Sequence, residues 1–126
     1  MSRHAIRSAM APGPTGAASP GISSGRLVFI SAQLPLGRKG ELAGSTAAEQ
    51  AAQAFETLAH QLRSTGLSLE DVVSLEIHLV DEADRAAVDD AIEARFIPPY
   101  PALTLSGVPW LPGGARLQVA AIAQRY

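Results

Sequence analysis

No cysteine occurs anywhere in the 126 residues. That absence excludes disulfide frameworks, thiolate metal sites, CxxC redox chemistry and a cysteine nucleophile. Aromatic side chains make up only 5% of the chain, with one tryptophan, so there is no supply of rings for stacking bases. An excess of one charge is missing too. Ten Lys and Arg stand against 12 Asp and Glu, leaving a formal charge of −2 and a pI near 5.9. Without a global positive field to gather phosphates, nucleic acid is not an expected partner. Nor is a membrane: nowhere do about 18 apolar residues run together. The opening Met1 to Met10 is mildly basic, but Pro12, Gly13, Pro14 and Gly16 break the apolar run a signal peptide needs. A cytoplasmic location is the expectation.

What is present is a globular composition, 47% hydrophobic and 17% charged. A chain of this length forms a single domain, residues 1–126, and buries roughly two thirds of its unfolded surface without metal or disulfide help. Residues 1–25 read as an irregular N-terminal arm, because Pro12, Gly13, Pro14, Gly16, Pro20, Gly21 and Gly25 crowd its second half. Leu27-Val28-Phe29-Ile30 is then a short apolar run, as in a buried strand, ending at Ser31 and Gln33.

Thr46-Ala47-Ala48-Glu49 has the spacing of a capping box and predicts a helix start. Ala51, Ala54, Phe55, Leu58 and Leu62 follow on one helical face, and Gly66 is placed to stop it. Val73, Leu75, Ile77 and Leu79 alternate with Ser74, Glu76 and His78, a strand with one apolar face. Asp81 is a candidate N-cap for a second helix whose inner face is Ala83, Ala87, Val88, Ala91, Ile92 and Phe96, ended by Pro98-Pro99. Pro101 to Val108 and Arg116 to Ala123 read as closing strands around Pro109, Pro112, Gly113 and Gly114. The sum is an α+β fold: a mixed sheet with two helices packed on one face.

Walker A, Rossmann-glycine, HExxH and GxSxG motifs are all lacking. His4, His60 and His78 are not spaced as a local metal pair, so neither metal nor other cofactor is expected. Glu76 and His78 share a strand face, which fits either a base with its orienter or an ordinary polar sheet face. Trp110 is either a binding aromatic or a plug at a core edge or subunit contact. Ser31 has no partner base nearby in sequence, which favours a hydrogen-bonding role over a nucleophile.

Gly25-Arg26-Leu27-Val28-Phe29-Ile30-Ser31-Ala32-Gln33-Leu34-Pro35, Asp71-Val72-Val73, Pro101-Ala102, and Leu111-Pro112 before Ala121-Ile122-Ala123 form an ordered set. It resembles the RidA/YjgF family of enamine/imine deaminases from about residue 16 onward. The resemblance implies a chorismate-mutase-like fold and a homotrimer with small-molecule sites in clefts between subunits. In that family an arginine directly after Pro-Ala pins the carboxylate of an α-imino acid, and a glutamate in the last strand handles the attacking water. Here those positions hold Leu103 and Gln118, and the position of a frequent family aromatic holds Ala18.

A substrate carboxylate against Leu103 would lose hydration without gaining a counter-charge, and the amide of Gln118 cannot accept a proton at neutral pH. The expected ligand is therefore a small, neutral or apolar imine, enamine or carbonyl compound. Ser31, Gln118 and backbone amides would hydrogen-bond it, Ala32 and Gln33 would belong to the same binding site, and Leu103 and Leu105 would form an apolar wall. Arg116 is either a displaced cation or a solvated or intersubunit arginine. Hydrolysis or tautomerisation with Gln118 in the catalytic position is one function. A non-catalytic binding or regulatory trimer is the other. Ribonuclease or translation-inhibitor activity, also attached to the family, fits the acidic balance poorly.

Overall fold

The computed structural model describes residues 3–13 and 16–126. Its strands are β1 (His4–Ile6), β2 (Gly21–Ser24), β3 (Leu27–Gln33), β4 (Val72–Leu79), β5 (Ala102–Gly107) and β6 (Leu117–Gln124), with helices α1 (Ala47–Arg63) and α2 (Arg85–Arg95). They form one mixed sheet in the order β1-β2-β3-β6-β4-β5, in which β4 and β5 run parallel and the other neighbours antiparallel. No helix among the described residues is long and apolar enough to cross a membrane.

Helix α1 starts where the capping box places it. The Thr46 hydroxyl accepts the Glu49 amide at 3.1 Å, and the Glu49 carboxylate accepts the Thr46 amide at 3.2 Å. Gly66, at φ +81°, ends it with a backbone conformation that suits glycine, and the Leu67 amide returns to the Leu62 carbonyl. Ala51, Ala54, Phe55, Leu58 and Leu62 are all fully buried. They pack with Val28, Ile30, Leu75, Ile77, Leu117, Val119 and Ala123 into one core between helices and sheet.

Four details depart from the sequence expectation. The N-terminal arm is not irregular throughout: β1 and β2 lie within it and extend the sheet. Gly25, at φ +60°, allows the tight turn between Ser24 and Leu27 that pairs β2 with β3. Such short strands are defined by pairing more than by composition. Leu27-Val28-Phe29-Ile30 is not buried as a run, since Val28 and Ile30 face the core while Leu27 and Phe29 remain 40% and 41% exposed on the other face. In β4 a bulge between Val72 and Ser74 inserts an extra residue, so Val72 takes the buried place and Val73 turns outward. Finally, the Asp81 carboxylate caps a 3-10 turn over Glu82–Asp84, so α2 begins at Arg85 and Ala83 stays exposed.

The helices cover one face of the sheet. The opposite face presents Ser74, Glu76 and His78 of β4 and Gln118, Ala120 and Ile122 of β6, next to Leu27, Phe29 and Ser31 of β3.

Candidate functional site

Register brings a polar chain together on the open face. His78 pairs with Gln118 and Glu76 with Ala120 across β4 and β6. The Gln118 side-chain amide lies 2.8 Å from His78 Nδ1, and His78 Nε2 lies 2.8 Å from Glu76 Oε2. With the amide nitrogen as donor to Nδ1, the hydrogen on Nε2 is the one the Glu76 carboxylate accepts. Alternation puts Glu76 and His78 on one face of β4, and the small Ala120 opposite Glu76 leaves room beside the carboxylate. The result is a cavity of about 250 Å³ whose lining includes Glu76, Ser74, Ser31, Phe29, Ala120 and Ile122.

Ser31 sits where β3 bulges between Ile30 and Gln33 against β6, a feature that re-aims side chains. Its hydroxyl donates to the Pro20 carbonyl at 2.9 Å, clamping the segment that leads into β2. Ser31, Ala32 and Gln33 line a larger cavity of about 610 Å³ together with Arg38, Lys39 and Gln61. Gln33 itself is buried and its amide donates to the Ser31 carbonyl at 2.8 Å. Ser31 borders both cavities and so connects them.

The remaining expected site residues lie elsewhere in the chain. Leu103 and Leu105 are in register with Leu75 and Ile77 and therefore on the helix side of the sheet. Leu103 lines a separate cavity of about 240 Å³ with Ile92 and Tyr100. One chain alone thus does not bring Leu103 and Leu105 into a common pocket with Ser31 and Gln118. Arg116 is engaged: its guanidinium reaches the half-buried Asp84 carboxylate at 3.1 Å and the Ser45 carbonyl at 2.9 Å. It ties the start of β6 to the segments that precede α1 and α2. Trp110 is 70% exposed, which excludes the core-edge plug for the single chain; Leu111 is buried beside it.

The strand-face pairing of Glu76 with His78 was visible as an i, i+2 spacing. The link to Gln118 was not, because it exists only once β4 and β6 are in register. Among the described residues no three His, Asp or Glu side chains converge as metal ligands. The open-face group can bind a proton donor at Glu76 and offer hydroxyls and an aromatic ring to the rest of a small molecule.

The endoribonuclease L-PSP family model matches residues 8–125. A RutC family protein of Sinorhizobium fredii is 35% identical over 113 residues, covering 89% of this chain and 90% of its own length. The human 2-iminobutanoate/2-iminopropanoate deaminase is 30% identical over 122 residues, covering 96% of this chain and 89% of its own. The crystal structure of RidA from an Antarctic Psychrobacter superposes with a TM-score of 0.91 at 31% identity, covering 97% of this chain and 99% of that one.

Proposed function

This chain belongs to the endoribonuclease L-PSP family, the RidA/YjgF proteins, and from that premise we propose that it hydrolyses small imines lacking a carboxylate, in clefts between three copies of itself. The general reaction is supported by relatives that carry the name 2-iminobutanoate/2-iminopropanoate deaminase. Substrate choice rests on this chain's own residues. Where the family resemblance expects a cation and a carboxylate stand Leu103 and Gln118, and the nearest ionisable pair is Glu76 and His78 on the neighbouring strand. That single arrangement carries the reading.

Bidentate capture of a carboxylate needs a guanidinium or an equivalent fork. Leu103 offers none, so a carboxylate placed there forfeits hydration with no return. Assembly is supported by one feature and required by another. Leu27 and Phe29 leave apolar surface on the open face that a second copy would cover. Leu103 and Gln118, on opposite faces of one chain, meet only if neighbouring copies bring them together.

The test is acceleration of ketone and ammonia formation from imines generated in the assay. Turnover above the uncatalysed rate supports hydrolysis. A second reading, a binding or regulatory trimer, is favoured by the amide at 118 in place of a proton acceptor. Under that reading, metabolites raise the melting temperature while remaining unconsumed.

A further inference from the structure

The cavity beside β4 contains one ionisable side chain, Glu76, with Ser19, Ser31 and Ser74 for hydrogen bonds and Phe29 as its aromatic surface. The cationic side chains near Ser31, those of Arg38 and Lys39, line the other cavity and not this one. A pocket with a carboxylate, a ring and no counter-cation is complementary to a positively charged head group, through the ion pair and through the ring's negative face. We propose that this cavity binds the protonated imine, with Glu76 as the catalytic base and His78 and Gln118 as the residues that position it. This rests on the hydrolytic reading above and names the charge of the substrate and the group that moves its protons.

The geometry assigns the three roles. Both nitrogens of His78 are occupied, Nδ1 by the Gln118 amide and Nε2 by Glu76 Oε2. The imidazole is therefore a strut, and the carboxylate, which lines the cavity, has a second oxygen with no partner among the described residues. Gln118 fixes the ring, the ring fixes the carboxylate, and the amide at 118 has a function that does not need it to ionise.

The chemistry balances with this one base. A water oxygen bonds to the iminium carbon while its proton passes to Glu76, and the C=N pair moves to nitrogen, giving a neutral carbinolamine. Glu76 returns that proton to nitrogen. The hydroxyl proton then goes to Glu76 as the C=O bond forms and the C–N pair departs with ammonia, which takes the proton as ammonium. Iminium plus water has become carbonyl plus ammonium, with no oxidant or cofactor.

The experiment compares wild type with Glu76→Gln, an isosteric change on a solvent-exposed side chain, using propan-2-imine as substrate and isopropylammonium as its non-hydrolysable mimic. Expected is a loss of about 100-fold or more in kcat, the scale of a general base, with partial recovery in Glu76→Asp. Isopropylammonium chloride should raise the melting temperature of wild type above a potassium chloride control, and not that of Glu76→Gln. If wild type hydrolyses propan-2-imine and Glu76→Gln does so equally well, the assignment is overturned while the hydrolytic reading stands. If wild type hydrolyses no imine, that reading falls and Glu76 loses its role as base. The cation site is then judged by the mimic alone: stabilisation confined to wild type supports it, and none in either protein overturns it.

Discussion

Leu103 and Gln118 stand on opposite faces of the same sheet: Leu103 is in register with Leu75 on the helix side, and Gln118 with His78 on the open side. The family site that the sequence points to needs both positions. Two surfaces of one chain that face away from each other can share a ligand only when copies associate. Under the three-copy assembly proposed above, light scattering should give a particle of three 13.1 kDa chains. Phe29→Asp, on the exposed apolar face, should dissociate it while far-UV circular dichroism keeps the signal of both helices. A stable wild-type monomer would remove the shared cleft.

The same two positions predict a gain of function. Leu103→Arg supplies the fork that a carboxylate lacks in the wild type, and a hydrogen bond to a charged group contributes about 1.5–3 kcal/mol. The expected result is a rise of roughly tenfold to a hundredfold in kcat/KM for 2-iminopropanoate, and a smaller or no rise for propan-2-imine. Combining Leu103→Arg with Gln118→Glu should raise imino-acid hydrolysis further, because a carboxylate at 118 accepts a proton as the amide cannot, a gain that outweighs losing the amide donor to His78.

The strut role of His78 separates from a structural one by how the kinetics divide. His78→Ala frees the Glu76 carboxylate and should lower kcat with KM little changed. His78→Gln, which can still bridge Gln118 and Glu76, should restore part of the loss. Equal effects on both variants, tracking a fall in melting temperature, would mark His78 as structural only.

At the start of α1 the capping box makes a pH prediction. The Thr46 hydroxyl, then the Thr46 and Ser45 backbone amides, hydrogen-bond Glu49 and hold its carboxyl below the usual glutamate range. A lowered folded-state pKa stabilises the native state fully above the unfolded value, about 4.3, and the contribution disappears as pH falls through the lower folded value. Melting temperatures measured from pH 7 down to pH 3 should show wild type exceeding Glu49→Gln at the upper end and converging with it at the lower. Thr46→Ala should cost about 1 kcal/mol near neutrality.

Docking of the N-terminal segment depends on Gln61, whose carbonyl oxygen accepts the buried Ser8 amide at 3.0 Å. Gln61→Leu leaves that amide unpaired and should cost about 1–3 kcal/mol in denaturant unfolding. Hydrogen exchange should show lost protection at Ser8 and along β1, with α2 unaffected.

Much of this molecule was legible in its sequence because the signals were local. The capping box at Thr46 and the spacing from Ala51 to Leu62 needed no partner to be read. The strand His4–Ile6 and its partner Gly21–Ser24 were not legible, since small residues, glycine and proline say little until another strand supplies the hydrogen bonds. The bulge that turns Val73 outward and buries Val72 likewise depends on pairing with β6. At the site, Glu76 and His78 were readable as neighbours on one face. Gln118 joins them only through the register of two strands about forty residues apart, and Leu103 leaves the group for the same reason.

The charge of the preferred substrate is the most direct measure. Purified protein should be given 2-iminopropanoate and propan-2-imine, which differ by a carboxylate in place of a methyl group, and kcat/KM determined for each. A higher value for propan-2-imine is the predicted result. A higher value for 2-iminopropanoate would contradict it, because an anion would then be accepted by a site with leucine at 103 and a carboxylate at 76.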